Sequence, residues 1–174
     1  MKHINIQLNR SKGFTLLEAL LGFLILSIGM LGIASLQAVS LKVGKTSVYG
    51  SVAMMKVEEL FESMRANPSA LALAAYATAG AGSDNGCTGG TTLCTPTALA
   101  VEDVFWWRKN LAAGLPGVVG TDIGTSIVLI PAVAPSNMAT ITIAVTWSER
   151  SKDSVAAVSK VFTSATNICT SVPC

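Results

Sequence analysis

Hydrophobic and polar positions are unevenly spread along the 174 residues. Residues 19–41 carry no charge and are mostly Leu, Ile, Ala, Met and Gly, with Ser27, Ser35, Gln37 and Ser40 as scattered polar exceptions. A spanning helix needs roughly 20 apolar residues, so this run can cross a bilayer, and it lacks the polar face of a core helix. Past Lys42 the pattern changes. Tyr49, Ala53, Val57, Leu60 and Met64 recur at helical spacing, with Lys56, Glu58, Glu59, Glu62 and Arg65 largely elsewhere. That predicts an amphipathic helix whose stripe packs on the protein's own core. Asn67-Pro68 supplies its stop. One helix over 14–66 would be roughly 80 Å long, one half facing lipid or neighbours and the other belonging to a domain.

Residues 69–97 read as an Ala/Gly/Thr/Ser-rich connection, with a helical turn over 69–76 and loop over 80–90. Residues 98–113 have helical spacing through Leu99, Val104, Trp107 and Leu111, ending at Gly114-Leu115-Pro116-Gly117. Within it, Trp106-Trp107-Arg108-Lys109 invites a cation–π reading. Adjacent tryptophans on a helix point different ways, so one is expected in the core and the other partly exposed. The tail reads as strands over 126–131, 139–147 and 155–163, with a polar turn over 149–154. In the middle one Ile141, Ile143, Val145 and Trp147 share one face and Thr140, Thr142, Ala144 and Thr146 the other. Short connections favour an antiparallel meander, apolar on one side, with the helical stripe as its cover. The expected class is α+β: one long helix against a small antiparallel sheet of three to four strands.

Composition sharpens this picture. The chain is 51% hydrophobic and 13% charged, with net charge +2, where about 25% charged is usual. That excess argues against disorder and against nucleic-acid binding, which needs a basic face. Residues 1–13 carry Lys2, Arg10 and Lys12 without an acid, so by the positive-inside rule the N-terminus stays cytoplasmic and everything past Lys42 is exported. An ordinary secretory signal is the competing reading. The apolar run is longer than a typical h-region of about 7–15 residues, however, and no A-x-A site follows it. Glu18 sits at the leading edge of the run, where a carboxylate costs up to about a few kcal/mol in a bilayer and is a functional candidate.

Catalysis finds little support. The single histidine, His3, lies in the leader, so no base accompanies the exported serines. Gly44-Lys45-Thr46-Ser47 echoes the end of a phosphate-binding loop, but Val39 stands where the first glycine belongs and no strand precedes it. No cofactor and no metal site are expected, and the chain is read as a non-enzyme.

The string Lys12-Gly13-Phe14-Thr15-Leu16-Leu17-Glu18, followed by an apolar helix, resembles the class III signal of type IV pilins and pseudopilins. Its extension ALLGFLILSIGMLGIASLQ is similar to PilV-like minor pilins, as more weakly are Leu115-Pro116-Gly117 and Val145-Thr146-Trp147. The resemblance implies that a prepilin peptidase cuts between Gly13 and Phe14, and that the new N-terminal Phe14 is methylated. It implies that Glu18 neutralises the terminal amine of a neighbouring subunit during assembly. Physically, Glu18 lies one turn from Phe14 at the positive end of the helix dipole, where a carboxylate is attracted by the dipole and by a nearby ammonium. The bland alternative is a glutamate that only caps the helix. The implied partners are other major and minor pilins and an inner-membrane assembly platform. The implied organisation is leader 1–13, transmembrane and assembly half 14–41, amphipathic half 42–67 and periplasmic domain 68–174.

Cys87, Cys94, Cys169 and Cys174 all follow the apolar run, and an even number in an oxidising compartment reads as two disulfides. Three connectivities are open. The local pairs Cys87–Cys94 and Cys169–Cys174 are favoured because they close short loops, and the second would be similar to the disulfide-bounded C-terminal region of pilins. A zinc site is the runner-up, without CxxC or histidine to support it. Gly22, Gly29, Gly32 and Gly44 either allow close helix packing or weaken the helix so that it bends or partly melts. Removal of residues 1–13 leaves nine basic against ten acidic residues, net −1. The expected function is that of a minor pilin in a type IV pilus. The alternatives are a type II secretion pseudopilin and a membrane-anchored binding or adhesion domain that never polymerises.

Overall fold

A computed structural model describes residues 13–89, 93–117, 123–150 and 157–174. Most of the leader, with Lys2, His3, Arg10 and Lys12, lies outside the described residues, as do Gly90, Ser151–Ser154 and Val155. The chain divides into two compact units, Met1–Gly44 and Lys45–Cys174. The element order is α1 (Leu16–Ala66), α2 (Ala70–Thr78), α3 (Pro96–Gly114), β1 (Gly124–Ile130), β2 (Met138–Arg150) and β3 (Ala157–Cys169).

In the Lys45–Cys174 unit the second half of α1 buries Ala53, Val57, Leu60, Phe61 and Met64. The expected stripe is therefore inward, except that Tyr49 is only partly buried, and Phe61, one residue off its spacing, joins it. Asn67 ends the helix, its side chain donating to the Pro96 carbonyl at 2.7 Å. The segment expected as connection instead holds a nine-residue helix, α2. Ser69 caps it by accepting from Ala72 N–H at 3.2 Å, its alanines favour the helical backbone, and burial of Ala72, Leu73 and Tyr76 holds it in place. Likewise α3 starts earlier than the periodicity suggests, because Thr95 caps it and Pro96 occupies its first position.

The sheet has order β1-β2-β3, antiparallel throughout, so it is three-stranded. β2 and β3 are longer than their apolar alternation implied. Pairing continues from Met138↔Cys169 to Arg150↔Ala157 and so takes in Glu149 and Arg150, the first two residues of the expected turn; the rest of that turn lies outside the described residues. The added stretches, Ser148-Glu149-Arg150 of β2 and Ser164 to Asn167 of β3, are mostly Ser, Thr, Asn and charged residues, which pair by backbone but carry little hydrophobic alternation. β1 ends at Ile130 because Pro131 has no N–H to give a ladder.

Ala139, Ile141, Ile143, Val145 and Trp147 face inward from β2 and join α1, Ala72, Leu73 and Tyr76 of α2, and Ala100, Val104, Trp107 and Leu111 of α3 in one core. Polar ties fix the layers. Trp107 Nε1 donates to the Lys56 carbonyl at 2.7 Å. Arg65 Nη2 donates to Thr166 Oγ1 at 2.9 Å. Glu149 accepts from Thr46 Oγ1 at 2.9 Å and from Trp147 Nε1 at 2.7 Å. Trp107 is the core tryptophan, while Trp106 is half-buried with Lys109 Nζ 4.6 Å above its ring.

Gly82 shows how tightly the loop after α2 closes on α3. Its φ is +73°, and an added Cβ would lie 2.5 Å from Phe105 N and 2.6 Å from the Val101 carbonyl oxygen. Both neighbours are backbone and cannot step aside. Gly82→Ala is expected to destabilise this unit by about 2 kcal/mol or more, visible as a lowered Tm in thermal unfolding followed by circular dichroism. An unchanged Tm would mean the loop does not sit against α3.

Candidate functional site

The Met1–Gly44 unit holds the segment that the sequence singles out. Gly13, Phe14 and Thr15 precede α1 in non-helical conformation. Thr15 caps the helix: its carbonyl accepts from Glu18 N–H at 3.1 Å and Ala19 N–H at 3.2 Å, and its hydroxyl accepts from Glu18 N–H at 3.3 Å. Thr15-x-x-Glu18 is thus the spacing of a capping box with only its Thr half made. The Glu18 carboxylate is exposed and has no hydrogen-bond partner among the described residues. Helix capping therefore does not consume it. Gly13 is exposed with open space around its Cα, and Phe14 is 78% exposed, so both sides of the bond between them are accessible.

Behind this head the first half of α1 is apolar on every side and covered on none. Between Phe14 and Val43 every large apolar side chain is at least 47% exposed, including the successive Leu20, Leu21, Phe23, Leu24, Ile25 and Leu26. Residues at each position around the helical turn are included, so no single groove could cover them. At about 1.5–3 kcal/mol per large side chain, leaving this helix in water costs on the order of tens of kcal/mol. The helix is long and apolar enough to cross a membrane, with none of its most apolar window buried. Added side-chain carbons at Gly22, Gly29, Gly32 and Gly44 would meet nothing within 4 Å, so contacts within this chain do not require those glycines.

The cysteines lie far along the chain from this head. Cys87 is bonded to Cys94 with Cα atoms 5.7 Å apart, and Cys169 to Cys174 with Cα atoms 5.9 Å apart. All four are taken up in these bonds, which leaves no thiolates for zinc. Among the described residues no three His, Cys, Asp or Glu side chains gather to hold a metal. The second loop is sewn to the chain before β2: Asn137 Nδ2 donates to the Pro173 carbonyl at 2.7 Å, and Thr170 N–H donates to the Asn137 carbonyl at 2.8 Å.

One charged residue escaped the sequence reading. Glu102 of α3 is fully buried. Its carboxylate accepts from the backbone N–H groups of Asn85, Cys87 and Thr88 at 2.9, 2.8 and 2.9 Å, and from the Thr88 hydroxyl at 2.7 Å. The Cys87 amide above all, helped by Thr88 and Asn85, holds this carboxyl down to about 2 against the opposing effect of burial. Next to it, burial and the Glu102 charge push the Asp103 carboxyl up, while the hydrogen bond that Tyr76 O–H donates to it pulls the other way. Position 102 lies on the opposite side of α3 from the buried Ala100, Val104, Trp107 and Leu111, where residues 85–88 cover it, so helical periodicity carried no sign of its burial; Leu99, expected on the inward stripe, is only half-buried. Glu102 is a structural clamp on the Cys87–Cys94 loop, remote in sequence from the N-terminal head.

No curated protein and no solved structure gives a significant match to the chain. Residues 8–34 match the family model for the prokaryotic N-terminal methylation motif, a stretch that contains Gly13, Phe14, Glu18 and most of the exposed apolar helix. Such a motif implies processing by a prepilin peptidase and pilin-type assembly partners. The chain thus carries the N-terminal signal of the type IV pilin superfamily on an α+β, pilin-like architecture.

Proposed function

We propose that this chain is a minor pilin, of the PilV-like kind, that enters or primes a type IV pilus. It would be inserted in the inner membrane as a prepilin with its N-terminus cytoplasmic and its Lys45–Cys174 unit periplasmic. A prepilin peptidase would cut after Gly13 and methylate Phe14, and the assembly platform would draw the subunit into the fibre among other major and minor pilins. The observation that carries this reading is the juxtaposition of three things: an open Gly13–Phe14 bond, a Glu18 carboxylate left free one turn later, and an apolar helix covered on no side. Lipid can cover that helix first and neighbouring helices afterwards, and both replace water with apolar contacts. The chain would work by assembly and not by catalysis.

The test is where the mature protein resides. Sheared surface fibres are expected to contain it at a small fraction of the major subunit, and its deletion is expected to reduce fibre number. Unaltered fibres, together with a loss of protein secretion, would assign it to a type II secretion pseudopilus instead.

A further inference from the structure

We propose that Glu102 is the positioning residue for the Cys87–Cys94 disulfide: it docks Cys87 beside Cys94 while both are still thiols, so that the bond closes on a loop already folded. The two cysteines reach α3 by separate routes, and neither route runs through sulfur. On one side the buried Glu102 carboxylate takes the N–H groups of Asn85, Cys87 and Thr88 at 2.9, 2.8 and 2.9 Å and the Thr88 hydroxyl at 2.7 Å. Asn85 adds a bond of its own, its Nδ2 donating to the Ala98 carbonyl at 2.9 Å. On the other side Cys94 directly precedes Thr95. The Thr95 hydroxyl caps α3 by accepting from Ala98 N–H at 3.2 Å, and its carbonyl accepts from Leu99 N–H at 3.0 Å. Both cysteines are thus tied to the first two turns of one helix, and Ala98 serves both sides.

Holding two groups together before they react raises their effective concentration, and the equilibrium for closing the bond rises by the same factor. Closure is a balanced exchange with a small disulfide such as oxidised glutathione. The two cysteine thiols give up two electrons and two protons as their S–S bond forms, and the glutathione S–S bond breaks to give two thiols. Both carboxylate oxygens of Glu102 are needed for the placement. Oε2 serves Asn85 and Cys87, and Oε1 serves both groups of Thr88. A glutamine offers one accepting oxygen and must release one of these two sets.

The second disulfide is an internal control. Cys87–Cys94 spans seven residues and Cys169–Cys174 five, a difference that changes chain closure by under about twofold. The Cys169–Cys174 loop is held instead by Asn137, through Thr170 and Pro173, and shares no hydrogen bond with Glu102 among the described residues.

The test equilibrates the full chain in detergent micelles with reduced and oxidised glutathione at neutral pH, alkylates the free thiols and quantifies each pair by peptide mass spectrometry. Glu102→Gln should lower the equilibrium constant for Cys87–Cys94 at least about tenfold, about 30 mV for this two-electron couple. It should leave Cys169–Cys174 within about twofold. Equal changes at both bonds, or none at Cys87–Cys94, in a variant with wild-type circular dichroism would overturn the proposal. A second variant leaves Glu102 in place. With Cys87→Ser and Cys94→Ser combined, the amides of residues 85, 87 and 88 should still exchange hydrogen at least about a hundredfold more slowly than in an unfolded chain. Exchange at the unfolded rate would show that the disulfide makes the clamp, and would overturn the proposal whether or not Glu102→Gln folds.

Discussion

Replacement of Glu18 by alanine is expected to leave the protein made, inserted and cut at Gly13–Phe14, yet to reduce its recovery in assembled fibres by about tenfold or more. The structure separates two jobs that the residue could do. Capping of α1 is carried by Thr15, whose hydroxyl and carbonyl take the first amides, and the backbone N–H of residue 18 that they bind survives the substitution. The carboxylate itself contributes to no bond among the described residues and is exposed at the positive end of the helix. A charge kept in such an apolar setting is costly unless it meets an opposite one. In the proposed assembly that partner is the N-terminal ammonium of a neighbouring Phe14, and a net pairing worth about 1.4 kcal/mol already corresponds to tenfold in occupancy. Glu18→Gln should behave like alanine, since it keeps size and polarity without charge, whereas Glu18→Asp should recover part of the loss. Equal fibre incorporation of wild type and Glu18→Ala would remove the assembly role and leave an interfacial glutamate.

The second large effect concerns stability and has a definite dependence on pH. Glu102→Gln is expected to lower the Tm of the Lys45–Cys174 unit by on the order of 10 °C at pH 7. A glutamine can accept on one atom, but its amide nitrogen then faces either the Asn85 and Cys87 N–H donors together or the Thr88 N–H donor in a buried site. Because the folded-state carboxyl is held at about 2, below the ordinary carboxylate value near 4.3, its contribution is complete above that ordinary value. It is lost progressively as pH falls toward 2. Asp103, pushed up by burial, has the opposite sign: what it contributes is present below the ordinary range and lost as pH rises. Comparing wild type with Glu102→Gln isolates the first effect. The Tm gap should be wide from pH 7 to 5 and narrow between about pH 4 and 2, as followed by circular dichroism. A gap independent of pH would show that the clamp does not depend on the ionised carboxylate.

These two residues also mark how far the sequence could be read. Glu18 was legible because its surroundings are extreme: an uncharged run of residues 19–41 makes any acid at its edge conspicuous. The stripe Ala53, Val57, Leu60 and Met64 and the alternation of Ile141, Ile143, Val145 and Trp147 were legible for the same physical reason, since each element buries one periodic face. Glu102 was obscured because its partners are main-chain amides of residues 85, 87 and 88, which have no side-chain signature. α2 was underestimated because its alanine-rich sequence has little amphipathic contrast and is fixed by a cap and by packing of Leu73 and Tyr76. The full length of β2 and β3 was missed where Ser, Thr and Asn pair through backbone alone. Periodicity reports burial, and it is silent wherever the backbone or a cap decides.

The most direct test of the account is the N-terminal mass of the mature protein purified from membranes or fibres. The prediction is a chain that begins at Phe14 and carries one added methyl group on its amine, with the two disulfides intact. A chain that still begins at Met1, or one that begins after the apolar run near Val39, would contradict the account, because the helix would then never present a free amine beside Glu18.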